Sequence, residues 1–149
     1  MTDPTLRLST DAAEMDVDAV HAYLSGESYW AAGIPREVVE RAIRHSLCFG
    51  VFDGDAQVAF ARVITDRATY AYLADVYVLP PYRGRGLSKW MMEAALAHPE
   101  LQGLRRWQLV TKDAQGLYAR FGFAPVAHPE RHMERTDHGV YARPSAEGG

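Results

Sequence analysis

Residues Leu73–Ala97 read LADVYVLPPYRGRGLSKWMMEAALA, and their order decides the architecture. The run up to Leu79 is apolar apart from Asp75 and fits a strand. Pro80-Pro81 ends it, because proline has no N–H to give a ladder. Arg83-Gly84-Arg85-Gly86 follows and opens directly into a helix expected from about Gly86 to His98. That helix is polar only at Ser88, Lys89, Glu93 and His98, so it is expected to be substantially buried. Glycines at a helix mouth leave backbone N–H groups uncovered. The helix N-terminus contributes partial positive charge and the two arginines add formal charge. Basic residues there are unfavourable unless an anion offsets them, so the unit suits a phosphate-bearing ligand. It lacks the Gly-Lys-Ser/Thr ending of a nucleotide P-loop, and its glycines do not fit G-x-G-x-x-G.

Working outward, the N-terminal side reads as antiparallel. Leu47 to Phe52 is a strand, Asp53-Gly54-Asp55 a hairpin turn, and Gln57 to Thr65 the partner strand. Asp66-Arg67 turns the chain into a third strand, Thr69 to Leu79. Further upstream, Leu6 to Leu8 is a short strand, and Asp11 with Glu14, or Asp16, marks a helix start. Val17, Val20 and Leu24 form one helical face. Val38, Val39, Ala42 and Ile43 form another, behind Pro35, with Glu37–Arg41 and Glu40–Arg44 supporting its outer side. Downstream, Leu104 to Thr111 is a strand reached across the helix, so it is expected to run parallel to its neighbour. Asp113 is expected to cap a short helix, Ala114 to Arg120. Phe123 to Ala127 and His132 to Arg135 read as a closing hairpin, and the chain from about Tyr141 as a frayed tail. The expectation is a single α/β domain over residues 1–140, with 141–149 as tail. Its mixed sheet is mostly antiparallel with one parallel strand pair, flanked by about four helices.

Composition narrows the function. A chain of 149 residues is long enough for one domain with a real core. A formal net charge of −3 argues against nucleic-acid binding by bulk charge. The single Cys48 excludes an internal disulfide and any multi-cysteine metal site, and its apolar neighbours suggest a buried thiol. The polar start and the lack of a membrane-length apolar run imply a cytoplasmic protein without a membrane partner. His128, His132 and His138 are not spaced as a metal site, so no metal is expected.

A second motif, DAQGLYARFGF over Asp113–Phe123, puts Tyr118 on a short helix just before a Gly-aromatic turn. Alone it is weak. At its spacing from the Arg-Gly loop, the pair resembles the GNAT superfamily of acyl-CoA-dependent N-acyltransferases, over roughly Leu47 to Ala127. The family's loop pattern, Arg/Gln-x-x-Gly-x-Gly/Ala, falls on Arg83, Gly84, Arg85, Gly86, Leu87 and Ser88, with Ser88 in place of Gly or Ala. The resemblance implies a GNAT fold with acetyl-CoA as cosubstrate. Backbone amides of the loop would hold the pyrophosphate, and backbone groups around Val76, Tyr77 and Val78 would pair with the pantetheine arm. Tyr118 matches the tyrosine that such enzymes use as general acid. Where members often carry Asn seven residues earlier, this chain has Thr111.

The implied reaction moves an acetyl group to a primary amine by direct attack through a tetrahedral intermediate. A phenol with an ordinary pKa near 10 is suited to protonate a departing thiolate. Asp75 is a candidate base; the alternative is a structural carboxylate at a strand irregularity, and alternation cannot tell which way it points. His21, Glu27 and His45 are weaker candidates. Tyr29-Trp30, in the loop between the first two helices, is expected either to wall an acceptor site or to pack over the helix pair. The acceptor is a small-molecule or peptide amine, with a small cationic amine favoured. Two alternatives remain: a non-catalytic coenzyme A-binding or sensor module of the same fold, and an interaction subunit, a homodimer through its terminal strands, that acylates nothing by itself.

Overall fold

The computed structural model describes residues 5–142. In chain order its elements are β1 (Leu6–Ser9), α1 (Val17–Gly26), α2 (Arg36–Arg44), β2 (Leu47–Asp53), β3 (Ala56–Thr65), β4 (Tyr70–Val78), α3 (Leu87–Ala97), β5 (Arg106–Leu109) and α4 (Gln115–Ala119), with short 3-10 turns between. The sheet order is β1-β2-β3-β4-β5. The first three pairings are antiparallel, and β4–β5, joined across α3, is parallel. This is the mixed sheet with one parallel pair that the sequence implies.

Local chemistry sets the element ends. The Asp16 carboxylate accepts from the Ala19 N–H at 3.0 Å and caps α1. Gly54 adopts φ 61° in the two-residue turn between β2 and β3, a conformation open to glycine at little cost. Pro35 precedes α2 as its cap. Along β3, Ala59, Ala61 and Val63 face one core cluster and Phe60 the other, so the helices divide between the two faces of the sheet. α3 covers the larger cluster with Leu87, Met91, Met92 and Ala95, and α1 and α2 cover the smaller. Phe49 and Phe60, fully buried on opposite faces, each contribute about 2–3 kcal/mol by burial.

Three expectations are corrected. No strand follows β5 among the described residues, so the closing hairpin is not formed. Residues 124–139 are exposed, and Met133 is 96% exposed. His128, Pro129 and Pro125 interrupt any alternation, and a 3-10 turn occupies Pro129–Arg131. A cleft of about 700 Å3 runs beside β5, lined by Trp107, Gln108, Phe121 and Phe123 among others. Second, Asp113 does not cap α4: the cap residue is Ala114, without a side-chain cap, and the Thr111 hydroxyl accepts from the Ala114 N–H at 3.0 Å just ahead of the helix. Third, the Glu37–Arg41 and Glu40–Arg44 pairs are not formed. Arg36 instead bridges to Asp18 on α1 at 2.6 Å and reaches Glu40 at 4.0 Å. Tyr141 packs against the smaller cluster, and residues 143–149 of the expected tail lie outside the described residues.

Candidate active site

The parallel pairing of β4 with β5 covers only Tyr70–Leu73 against Arg106–Leu109. β4 continues to Val78, paired on its other side with β3. The two parallel strands therefore part after Leu73, and the β4 edge from Ala74 to Val78 has no strand partner on the β5 side. Leu79 N–H donates to Val58 O, toward β3. Groups of successive residues alternate in direction, so those of Val78 and Val76 face the open edge. The carbonyl of Val78 accepts from Arg83 Nε at 2.9 Å. Tyr77 turns its ring to the α1 side and stacks on Tyr23, centroids 3.9 Å apart. Burial raises the Tyr77 pKa well above that of a free phenol.

The loop at the end of this edge is held by backbone conformation. Gly84 has φ 79° and Gly86, the cap of α3, φ 78°. A Cβ on either would meet nothing within 4 Å, so open space surrounds both and only the left-handed backbone demands glycine. The Leu87 side chain is in the core, which leaves its backbone as its only group for a ligand. Ser88 is half-buried on the first turn. Arg83 also reaches Tyr23 Oη through Nη2 at 3.1 Å, so its guanidinium ties the loop to β4 and α1. The Arg85 guanidinium lies 5.1 Å from the centre of the Tyr82 ring. Tyr82 Oη donates to Asp53 at 2.6 Å, which fastens the Pro-Pro turn to the β2–β3 hairpin.

Tyr118 sits in the larger cluster, 8% exposed, its ring edge-on to Phe123 at 6.0 Å. Its hydroxyl has no hydrogen-bond partner among the described residues. No buried side-chain polar atom there lacks a partner, so this oxygen reaches solvent. Burial of the ring raises its pKa, which keeps the phenol protonated through neutral pH.

Asp75 lies in a bulge. Phe60 pairs with Tyr77 and Arg62 with Ala74, so β4 carries one extra residue there. Asp75 takes φ 54°, a conformation that costs roughly 1–3 kcal/mol for a residue with a Cβ. The extra residue flips the alternation and turns Asp75 to the α1/α2 face. There its Oδ2 accepts from Arg62 Nε and its Oδ1 from Trp30 Nε1, both at 2.9 Å. Each oxygen is thus engaged, the arrangement of a structural carboxylate that orients the Tyr29-Trp30 loop. Ser28 fixes that loop by donating to Leu24 O and accepting from Ala31 N–H. Tyr29 and Trp30 are 66% and 42% exposed. Lys112 Nζ lies 5.2 Å from the Tyr29 ring centre. The loop therefore reaches from the β4 bulge to the segment after β5, across the mouth of the gap. Glu27 and His45 are exposed.

Sequence reasoning missed Arg62 and Lys112. Arg62 had a signal: it is the one charge inside an apolar strand that pairs with the strand carrying Asp75. Among the described residues, no group of three or more His, Cys, Asp or Glu side chains is arranged to hold a metal. No helix of the described residues is long and apolar enough to cross a membrane.

Comparison with known proteins agrees with this geometry. Residues 17–123 match the model of the Acetyltransferase (GNAT) family. A Gibberella zeae protein named "Putative acetyltransferase FG08082" is 36% identical over 135 residues, covering 76% of this chain and 75% of that protein. A GNAT-family crystal structure from Xanthomonas campestris pv. campestris is 55% identical, with a TM-score of 0.90 over 94% of this chain and 99% of that one. A Clostridium acetobutylicum protein solved with acetyl-CoA shares the fold at 17% identity, with a TM-score of 0.62 over 88% of this chain and 94% of that one. With its parted parallel strands, glycine loop and following tyrosine helix, this chain belongs to the GNAT family of acetyltransferases.

Proposed function

We propose that this acetyltransferase moves the acetyl group of acetyl-CoA to the nitrogen of a primary amine by direct attack. The unpaired β4 edge carries the reading. It offers Val76 backbone groups to an extended pantetheine arm as an added strand would. The same edge leads to the Gly84–Ser88 loop and the N–H groups at the start of α3, a seat for the pyrophosphate. The relative solved with acetyl-CoA has this fold.

The amine loses a proton to solvent, and its lone pair attacks the thioester carbonyl carbon. An unpaired β4 amide stabilises the oxyanion. The carbon–sulfur bond breaks, the nitrogen sheds its second proton to solvent, the sulfur takes the proton of Tyr118, and solvent returns a proton to the phenolate. Amide and free coenzyme A leave. No covalent enzyme intermediate forms, and Cys48, buried on the α1/α2 face, takes no part. Asp75 positions Trp30 rather than acting as base.

Thiol release from acetyl-CoA with a panel of amines tests the reaction. Tyr118→Phe is expected to lower kcat about 100-fold, the low end for a general acid, with coenzyme A affinity changed less than threefold. Undiminished turnover would remove Tyr118 from the acid role. Coenzyme A binding without thiol release on any amine would make the protein a sensor.

A further inference from the structure

A cavity of about 130 Å3 lies between α1 and α2, on the sheet face opposite α3. Leu24, Val38 and Ala42 are among its apolar walls, and Tyr141 lines it from the C-terminal side. Phe60 and the Arg62–Asp75 ion pair also line it, on the sheet. The carboxylate and guanidinium side chains are 11% and 16% exposed. Protein interiors ordinarily close such voids by packing. Asp75 links this one to the site already described. It lines the cavity and also stands at the bulge where the open edge of β4 begins.

The cavity's chemistry selects a ligand. Its walls are aliphatic and aromatic, which favours a carbon body over a polar one. Its one acidic side chain, Asp75, is neutralised by Arg62 in the same lining and also holds Trp30, so the walls select for the carbon body rather than for a charge. The volume is close to that of an engineered cavity that takes a single benzene ring. A polyamine, an aminoglycoside or a peptide backbone is too large and too polar for it.

We propose that this cavity receives the carbon body of the acceptor, and that the acceptor is a primary amine on a compact apolar group, branched aliphatic or single-ring. The proposal rests on the amine-transfer reading above. It also makes Tyr141 a wall of the acceptor site.

Two measurements test it separately from that reading. In thiol-release assays at saturating acetyl-CoA, isoamylamine and benzylamine are expected to exceed ethylamine in kcat/KM by roughly 10- to 50-fold, since each buried methylene is worth about fourfold. Spermidine, kanamycin and a lysine peptide should fall below both. In calorimetry on the coenzyme A-loaded protein, Ala42→Phe fills the cavity and should weaken benzylamine binding at least tenfold. Coenzyme A affinity and a cooperative melt show that the variant is folded. Val38→Ala, at a partly buried position, enlarges the cavity and should move the preference from benzylamine toward phenethylamine.

Benzylamine affinity unchanged in both variants overturns the proposal, as does a kcat/KM highest for spermidine or the lysine peptide. No thiol release on any amine, with benzylamine binding still lost in Ala42→Phe, would end the transfer reading and still place an amine site in the cavity.

Discussion

The α3 face of the sheet and the α1/α2 face meet at the β4 bulge, and different forces hold them. On the α3 side, the loop geometry comes from backbone: left-handed Gly84 and Gly86, an unpaired strand edge, and helix N–H groups. The long-range side-chain bonds there, Arg83 to Tyr23 and Tyr82 to Asp53, fasten the loop to its surroundings and do not set its left-handed backbone. On the α1/α2 side, geometry comes from side chains that meet across the chain. Trp30 and Asp75 are 45 residues apart, Arg62 and Asp75 13 apart, and the Tyr23–Tyr77 stack joins helix to strand. A cofactor used by a whole family can be read by backbone, which any sequence supplies. An acceptor particular to one enzyme needs side chains, and side chains need neighbours to hold them.

The sharpest way to break this contrast is at Arg62. Arg62→Met leaves a mostly buried carboxylate unpaired and should cost about 3 kcal/mol, measured by urea unfolding. Amine turnover should fall with it, while coenzyme A affinity changes less than threefold. An equal loss of coenzyme A affinity would show that the bulge shapes both faces and would erase the distinction.

Alkaline pH probes the α1/α2 face next. Burial pushes the Cys48 thiol up to about 11 from 9.0. Its contribution is complete below the unfolded value and is lost as pH rises through the folded one, because the unfolded chain releases the proton first. Stability should fall by about 2 kcal/mol between pH 9 and 11, and Cys48→Ala should flatten the slope between pH 9 and 10. Above pH 10 the buried Tyr77 and Tyr118 phenols, whose values are also raised, add to the decline.

On the α3 face, Gly86→Val places a β-branched residue at φ 78°. It should cost about 1–2 kcal/mol in stability and weaken coenzyme A at least fivefold in calorimetry. Unchanged affinity would mean that the loop does not hold the cofactor. The smallest effect is Thr111→Ala, which removes the hydrogen bond to the Ala114 N–H ahead of α4. A loss of about 1 kcal/mol in stability is expected, with kcat lowered through a looser Tyr118 more than KM is raised.

Much of the fold was legible because it follows from short-range pattern. The Asp53–Asp55 turn, the Pro-Pro stop and the apolar periodicity of α3 are each set by neighbours within a few residues. The Arg83–Ser88 loop was legible for the same reason. The final hairpin was misread because short apolar runs broken by Pro125 and Pro129 do not make strands without a partner edge. The α4 start was misread because Asp113 has a side chain able to cap, and only the backbone path puts Ala114 at the cap position instead. Arg62 stayed hidden because its partner lies on another strand.

By itself, then, the sequence determined the strand–loop–helix unit from Leu73 to Ala97, the glycines that its backbone requires, and the tyrosine helix that follows at Tyr118. These are local properties of φ, charge and periodicity. Tertiary structure alone decided where Asp75 points. One extra residue in β4 inverts the alternation, and that bulge exists only against the register of β3. The same register made Asp75 the partner of Arg62 and Trp30, and it placed the Arg62–Asp75 ion pair beside a small apolar cavity.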